Sequence, residues 1–222
     1  GLPADMIALL PGRGESVGAA LVADPRVAGV AFTGSTEVAA IIAQTLASRL
    51  PLVPLIAETG GLNAMIADSS ALPEQVAADA LVSAFDSAGQ RCSALRVLCV
   101  QRDIAPRVVT LLQGAMDEIS VGDPADRATD VGPVIDRTAQ SALELHVDAM
   151  SELGFVCHRT PLPAACASGS FVAPTLVVLD RLDRLAREVF GPVLHVVEWD
   201  AEGLDALVDA INATGYGLTM GV

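Results

Sequence analysis

Short apolar blocks alternate with longer amphipathic ones along this chain, a pattern typical of strands followed by helices. In the first third, apolar runs of strand length cover residues 5–10, 27–32 and 52–57, and a short helical run covers residues 16–23. A strand ending in the turn Thr33–Glu37 and leading into a helix has the order of a βαβ unit. The first third is therefore predicted to be βαβαβ with a parallel sheet, and ligands of such sheets bind beyond the carboxyl ends of the strands.

The helix after Thr36 is predicted to pack one apolar face on this sheet. Its apolar and small positions follow the i, i+3, i+4, i+7, i+8 spacing of an amphipathic helix, at Val38, Ile41, Ile42, Thr45 and Leu46.

The rest of the chain continues the α/β pattern. Strands are predicted at residues 64–67, 95–100, 171–179 and 193–199, and helices over residues 73–85, 105–119, 137–153 and 204–212. The helix that begins at Pro73 leads directly to Cys92, and its buried stripe is predicted at Val76, Ala77, Ala80, Leu81, Ala84 and Phe85. Cys157 and Cys166, which flank two prolines, are predicted to lie in a loop.

The composition narrows the function. Of 222 residues, 52% are hydrophobic and 18% charged, which favours a folded globular protein. The net charge of −14 argues against a nucleic-acid or anionic-membrane surface. All 13 basic residues are arginine, so this chain offers no lysine for a Schiff base or a P-loop.

The four cysteines include no Cys-x-x-Cys pair, and the three histidines are scattered, so no metal site is expected. At this length a disulfide scaffold is not expected either, which favours a reducing, cytoplasmic setting. No signal peptide and no apolar run long enough to span a bilayer are evident. Because the chain lacks an initiating methionine and ends in the apolar run 218–222, it is expected to be a piece of a longer protein.

Cys92 is the candidate nucleophile. It lies in a short polar turn between Arg91 and Arg96, after a helix and before a strand. The thiolate is the reactive form, and nearby positive charge with partial exposure favours it. A structural role for Cys92 remains the alternative, since free cysteines are often buried packing residues.

Two glycine turns compete as phosphate sites. Gly12 and Gly14 miss the dinucleotide fingerprint by one position, which favours an ordinary turn. Gly34 and Ser35 stand between a strand and a helix, where free N–H groups and the helix dipole favour an anion. An ordinary helix cap explains Ser35 equally well.

Four segments resemble motifs of the NAD(P)-dependent aldehyde dehydrogenase superfamily in order and approximate spacing: Phe32–Val38, Glu58–Gly61, Gly89–Ser93 and Glu188–Val193. The longer runs Glu58–Gly61, Ala84–Cys99 and Asn212–Thr219 are similar to the L-glutamate-γ-semialdehyde (Δ1-pyrroline-5-carboxylate) dehydrogenase module of the bifunctional proline utilization A flavoenzymes. The resemblance spans the whole chain but less than half of a full aldehyde dehydrogenase unit.

This resemblance implies an α/β, aldehyde-dehydrogenase-like fold in two parts. Residues 1–57 would be the C-terminal part of a Rossmann-type NAD-binding lobe, and residues 58–222 a catalytic lobe truncated at its C-terminal end. NAD would be the cofactor and a small aldehyde the substrate. The parent would be multidomain, with a proline dehydrogenase domain, and a homo-oligomeric state stays open.

The resemblance also implies site residues. Cys92 would attack the aldehyde carbon, with its own backbone N–H as one oxyanion donor, and Glu58 would activate the water that hydrolyses the thioester. A solvated charge at a strand end is the alternative for Glu58.

For the cofactor, Gly34 and Ser35 would face the pyrophosphate, Glu188 the ribose and Phe190 the nicotinamide ring. Without the resemblance, Glu188 would be a surface charge and Phe190 a core residue.

For the substrate, Ser93 would bind the carboxylate and Phe85 would line the aliphatic part. Their alternatives are a turn cap for Ser93 and helix packing for Phe85.

The sequence departs from the family at Ala39, where glycine is usual, and at Leu62, where a polar residue is usual. The family's asparagine oxyanion donor and ribose-contacting lysine would precede Gly1. Three hypotheses follow: a semialdehyde dehydrogenase, a cysteine enzyme of another specificity or without nicotinamide, and a truncated or degenerate domain with a structural or interaction role.

Overall fold

The computed structural model describes Pro3 and residues 6–222 and divides into two compact units, Gly1–Gly60 and Gly61–Val222. The division falls three residues after the predicted boundary at 57/58, so Glu58 belongs to the first unit. The assignment of one unit to cofactor binding and the other to catalysis stays a prediction.

The first unit contains a βαβ arrangement. Its elements are a π-helical turn Gly14–Gly18 that continues as α1 (Ala19–Ala23), then β1 (Val30–Gly34), α2 (Thr36–Ala47) and β2 (Leu55–Thr59). The two strands are parallel neighbours, with Val30 opposite Leu55 and Gly34 opposite Thr59. The parallel pairing and the crossover helix confirm the predicted order from residue 16 onward.

The strand predicted over residues 5–10 is wrong over its described part; Asp5 lies outside the described residues. Residues 6–10 form no strand, and Ile7 and Leu9 are 74% and 89% exposed. An apolar run becomes a buried strand only where a neighbouring strand accepts its hydrogen bonds, and the described residues provide none here.

The predicted buried face of α2 is only partly correct. Ile42 and Leu46 are buried together with Ala39, whereas Val38 and Ile41 are 43% and 62% exposed. The buried stripe is therefore narrower than the apolar pattern, and Ala39, which departs from the family glycine, is one of its members.

The second unit is built on one six-stranded sheet, in the order β5-β6-β7-β4-β3-β8. Its strands are β3 (Ala64–Ala67), β4 (Val97–Gln101), β5 (Val156–Arg159), β6 (Thr175–Leu179), β7 (Val193–Trp199) and β8 (Met220–Gly221), and its helices are α3 (Pro73–Phe85), α4 (Ala105–Asp117), α5 (Arg137–Glu152) and α6 (Leu204–Ala213). All neighbouring strands are parallel except β5 and β6. β4 and β7 are central and almost continuously apolar, as expected for strands covered on both faces.

Most elements predicted after residue 60 are confirmed within a few residues. The strand predicted from Phe171 begins only at Thr175, directly after Pro174, which has no backbone N–H to donate to a neighbouring strand. Cys157 was wrongly placed in a loop: it lies in the antiparallel edge strand β5, opposite Val177. Cys166 is the buried residue of a 3₁₀ helix, Ala164–Ser168, whose other residues are exposed.

The order of the strands brings four loops together. Because β7, β4, β3 and β8 are parallel neighbours, the chain enters all four at the same edge of the sheet. The segments that precede them are Glu188–Pro192, Cys92–Arg96, Gly61–Asn63 and Gly215–Thr219. The candidate residues of the second unit thus lie at the amino edge of the sheet, whereas Gly34 and Glu58 lie at carboxyl ends of strands in the first unit.

Candidate active site

The loop that carries Cys92 begins with an abrupt reversal. After α3, Ser87 (φ 58°), Ala88 (φ 53°) and Gly89 (φ 64°) all have left-handed backbone conformations. Two successive non-glycine residues in this region are uncommon; each costs about 1–3 kcal/mol and persists only where the surrounding structure enforces it. Backbone strain is often found at functional sites. Here the strained residues lie shortly before Cys92, which is exposed and forms no disulfide.

Gly89 is required at this point for two reasons. Its φ is positive, and a Cβ would collide with the Gly191 carbonyl oxygen and come within 2.8 Å of the Ala84 carbonyl oxygen. The backbone of the Cys92 loop thus approaches that of the Glu188–Val193 segment directly. Two motifs that are far apart in the sequence meet at this contact.

Arg96 fixes the backbone of the Cys92 loop. Its side chain is fully buried, and Nη1 donates to the Gly89 carbonyl at 2.6 Å and more weakly to that of Gly191 at 3.4 Å. Nη2 donates to the Arg91 carbonyl at 3.0 Å. Burial lowers the pKa of Arg96, the charge of Glu188 opposes this shift, and the guanidinium remains a cation.

Asn63 fixes the loop from the neighbouring strand. Its buried Nδ2 donates to the carbonyls of Cys92 at 2.7 Å and Ala94 at 2.9 Å. Its Oδ1 accepts from the Thr219 N–H at 3.1 Å. One side chain therefore joins the cysteine loop to the segment that enters β8.

The hydrogen bonds of the two arginines go mainly to backbone carbonyls. Arg91 directs Nη2 to the carbonyls of Val82 at 3.4 Å and Ser83 at 3.2 Å, near the C-terminus of α3, where a cation is favourable. The Arg91 Nε is buried without a partner in the described part of the chain. No hydrogen bond joins either guanidinium to the Cys92 thiol among the described residues, but the charge of Arg96 interacts with Cys92 while both arginines hold the backbone.

The other three cysteines are less accessible. Cys99 is buried in β4, and this burial raises the pKa of its thiol to about 12. Burial also raises the pKa of the half-buried Cys157 thiol, and Cys166 is buried with its Sγ 3.7 Å from the Val121 carbonyl oxygen. A buried thiol is a poor nucleophile, so accessibility singles out Cys92.

Glu188 and Phe190 lie beside this loop. The Glu188 side chain is 14% exposed, and its Oε1 accepts from Arg96 Nε at 3.1 Å and Nη2 at 3.0 Å. The Phe190 ring is 44% exposed and lies 5.0 Å from the Arg96 guanidinium carbon. Neither simple alternative is correct, because Glu188 is a paired, half-buried residue and Phe190 is not in the core.

The two predicted substrate residues differ in position. Ser93 is exposed next to Cys92; its carbonyl accepts from Thr219 Oγ1 at 3.5 Å, and its hydroxyl has no hydrogen bond within the described residues. Phe85 is 2% exposed and belongs to the hydrophobic core, as helix packing predicts. Their roles in substrate binding stay predictions.

In the first unit, Ser35 is the N-cap of α2, and its Oγ accepts from the Val38 N–H at 3.3 Å. The helix-cap interpretation is confirmed, and a role of Gly34 and Ser35 in pyrophosphate binding stays a prediction. Glu58 is exposed near the end of β2 and has no ion pair or side-chain hydrogen bond within the described residues. Its position fits both a general base and a solvated charge.

Sequence reasoning gave no role to two buried polar residues of this edge, Asn63 and His195, and it considered Arg96 only as a positive charge near Cys92. His195 Nδ1 lies 3.1 Å from the Arg96 carbonyl oxygen, and its Nε2 lies 2.9 Å from Nε2 of His146. The signal available in the sequence was a polar residue at or just before an apolar strand. It could not tell a buried polar residue from an exposed one.

None of the described helices is both long and apolar enough to cross a membrane.

The fold and the Cys92 loop define the class of protein to which this chain belongs. The model of the aldehyde dehydrogenase family matches residues 1–222, so the chain belongs to that family. Among curated proteins it is 55% identical over 231 residues to the bifunctional protein PutA of Klebsiella aerogenes, covering 100% of this chain and 18% of that protein. It is 34% identical over 225 residues to the 1-pyrroline-5-carboxylate dehydrogenase of Geobacillus kaustophilus, covering 99% of this chain and 43% of that protein.

Solved structures from the same family have a fold similar to that of this chain. A crystal structure of bifunctional proline utilization A (PutA) matches with a TM-score of 0.95 and 53% identity, covering 100% of this chain and 22% of that one. PnpE in complex with nicotinamide adenine dinucleotide matches with a TM-score of 0.87 and 31% identity, covering 95% of this chain and 43% of that one. The chain thus spans about a fifth of the length of its PutA relatives.

Proposed function

We propose that the protein carrying this chain oxidises L-glutamate γ-semialdehyde, the open form of Δ1-pyrroline-5-carboxylate, to L-glutamate with NAD, as a step of proline catabolism. The observation that carries the proposal is the exposed Cys92 on a strained loop whose carbonyls are held by buried Asn63 and Arg96. The names of the PutA and pyrroline-carboxylate dehydrogenase relatives support the choice of substrate.

The proposed chemistry starts from the thiolate form of Cys92 on its fixed loop. The Cys92 sulfur attacks the aldehyde carbon, a carbon–sulfur bond forms, and the carbonyl electron pair moves onto oxygen. The Cys92 N–H is the donor that this chain offers to that oxyanion. Because Asn63 holds the Cys92 carbonyl and Arg96 holds that of Arg91, the peptide unit that carries the Cys92 N–H is fixed before substrate arrives.

Bound NAD would accept the hydride from the substrate carbon, which leaves a thioester on Cys92. Glu58 then takes a proton from water, the resulting hydroxide attacks the thioester, and the carbon–sulfur bond breaks to release the thiolate and the carboxylic acid, which loses its proton to solvent to give the carboxylate. The exposed position of Glu58 leaves its carboxylate accessible to water.

Residues of each unit fit NAD separately. Both hydrogen bonds from Arg96 end on Oε1 of Glu188, so Oε2 has no protein partner in the described part of the chain and can accept from a ribose hydroxyl. The exposed face of Phe190 suits a planar ring. In the first unit, α2 begins at Ser35 directly after β1, where a pyrophosphate would meet the positive end of the helix.

Substrate and context complete the proposal. The free hydroxyl of Ser93 is the candidate donor to the substrate carboxylate, and Phe85 would act only through packing under the loop. A multidomain parent with proline dehydrogenase, a cytoplasmic location and the absence of nucleic-acid binding are part of the proposal, and the oligomeric state stays open.

The test is NADH formation from the semialdehyde by the complete natural protein, compared with its Cys92→Ala and Glu58→Gln variants. Cys92→Ala is expected to lose more than about a thousandfold in kcat, because the nucleophile is gone. Glu58→Gln is expected to lose about 10²–10⁴-fold in steady-state kcat but to retain a burst of NADH, because thioester formation precedes the step it serves.

Cys157→Ala is the matched control, since this thiol lies half-buried in edge strand β5, and its activity should stay within about twofold of wild type. Full activity of Cys92→Ala would refute the assignment of Cys92 as the nucleophile. A folded wild-type protein that oxidises other aldehydes but not the semialdehyde would refute the substrate.

A further inference from the structure

Arg96 lies where two functional segments meet. Its side chain is fully buried immediately before β4, and it donates to the Gly89 and Arg91 carbonyls of the Cys92 loop. The same guanidinium donates twice to Glu188, which is 92 positions away in the sequence. One rigid group therefore sets both the backbone of the cysteine loop and the carboxylate proposed to face the cofactor ribose.

The guanidinium is suited to this double task by its shape. Its N–H groups have fixed directions in one plane, so the Glu188 carboxylate and the loop carbonyls cannot move independently of each other. Nε and Nη2 both point to Glu188, while Nη1 points to Gly89, and Nη2 also reaches Arg91. The Phe190 ring, 5.0 Å from the guanidinium carbon, limits its movement further.

A second arginine of the same sheet provides the comparison. Arg102, just after β4, pairs with Glu198 at 3.5 Å and Asp200 at 2.6 Å, but its side chain is 62% exposed and forms no bond to the cysteine loop. Both arginines join β4 to carboxylates of the β7 region, Arg96 before the strands and Arg102 after them. Only the pair at the amino edge touches residues with a proposed function.

We propose that Arg96 is a positioning residue that couples the reactivity of Cys92 to cofactor binding at Glu188. This inference rests on the proposed function for the identity of the nucleophile and the cofactor. The hydrogen bonds of the Arg96 side chain go to loop carbonyls and Glu188, and none goes to the Cys92 thiol among the described residues. Its effect is to hold the Cys92 loop and the Glu188 carboxylate in one fixed relation.

The experiment uses the complete natural protein with Arg96→Met, Arg96→Lys, Glu188→Gln and Arg102→Met. Two quantities are measured for each folded variant: the rate of Cys92 alkylation by iodoacetamide without cofactor across a range of pH, and the dissociation constant for NAD. A purely structural arginine would lower the yield of folded protein without shifting both quantities in the protein that folds.

Arg96→Met is expected to slow the alkylation by about 10-fold or more, because the thiol loses both a fixed loop and a neighbouring cation. It should also weaken NAD binding by about 10-fold, the size expected for a lost charged hydrogen bond. Arg96→Lys should restore at most one of the two quantities, because an ammonium cannot reproduce the planar set of donors. Glu188→Gln should weaken NAD binding alone, and Arg102→Met should change neither.

Folded Arg96→Met with both quantities within about twofold of wild type would overturn the proposal. It would also be overturned if neither Arg96 variant folds, because the residue would then be structural. Failure of the proposed function is seen separately: a wild-type protein that does not bind NAD refutes the cofactor, whereas unchanged quantities in Arg96→Met refute only the coupling.

Discussion

His195 is fully buried in β7, and its two ring nitrogens have different partners. Because the Arg96 carbonyl can only accept, Nδ1 of His195 carries the hydrogen, and Nε2 accepts from Nε2 of His146. The rings meet edge to face with centroids 5.1 Å apart. A neutral pair satisfies every contact, whereas a proton on Nε2 of His195 would remove the acceptor for His146.

Acid should therefore destabilise the second unit through this pair. Burial, and then the charge of His146, lower the pKa of His195 to about 3, from an ordinary value of about 6.5 in the unfolded chain. The unfolded state thus binds the proton first, and the stabilisation, complete above about pH 6.5, is lost as the pH falls towards about 3, by at most about 1.4 kcal/mol per pH unit. Burial, followed by the charge of Arg187, lowers the pKa of His146 in the same direction.

The effect is measured by urea unfolding of wild type and His195→Gln across this pH range. The slope of the unfolding free energy against pH should be shallower in the variant, because glutamine keeps hydrogen-bonding groups but does not titrate. His158→Gln is the control, because His158 lies half-buried beside Asp117 outside this pair. Equal slopes for wild type and His195→Gln would contradict the prediction.

The N-terminus of α2 combines an observed helix cap with a proposed site for the pyrophosphate. Ser35 caps the helix through its contact with the Val38 N–H, while the remaining N–H groups of the first turn and the helix dipole still favour an anion. Stability and anion binding are therefore separable by substitution at this one position.

Ser35→Ala should destabilise the first unit by about 1 kcal/mol, because the capping oxygen is lost. Ser35→Asp should keep the cap but place a negative charge where the pyrophosphate is proposed to lie, so NAD binding should weaken by about 10-fold or more while stability is retained. Thermal unfolding and NAD titration of the complete protein measure the two effects.

Ser48→Ala at the other end of α2 is the control, since the Ser48 hydroxyl bonds only the Thr45 carbonyl among the described residues. If Ser35→Asp binds NAD as wild type does, α2 is an ordinary capped helix and the pyrophosphate lies elsewhere.

The two units of the molecule differ in how many hydrophobic residues they bury. The connected hydrophobic core runs from Leu62 to Ile211 and lies within the second unit. In the described part of the first unit, only Ala39, Ile42 and Leu46 are buried hydrophobic residues. A segment of this size with so small a core is marginal by itself.

Residues 61–222 expressed alone should therefore unfold cooperatively in urea, whereas residues 1–60 alone should show no cooperative transition. Circular dichroism during denaturation measures both, and hydrogen exchange in the intact chain provides an independent check, with slow exchange expected in β4 and β7. A cooperative transition in residues 1–60 would show that the first unit has enough core by itself.

The sequence predicted some features of the site better than others. The turn position and accessibility of Cys92 followed from a helix end, a polar turn and an apolar strand, all local features. The strand predicted at residues 5–10 failed because apolar character alone does not provide a neighbouring strand. The network of Asn63, Arg96 and Glu188 was missed because nothing in the sequence around Asn63 or Arg96 shows what it touches.

Periodicity and turn residues act within one segment, so the alternation of strands and helices after residue 16, the predominance of parallel strands and the place of the candidate nucleophile could be predicted from local patterns. The positions of β7 on one side of β4 and of β3 on the other became known from the folded chain. That order places Glu188 and Asn63 against the Cys92 loop at the amino edge of the sheet. Contacts between residues 29 and 92 positions apart depend on the order of strands in the sheet, which no local pattern encodes.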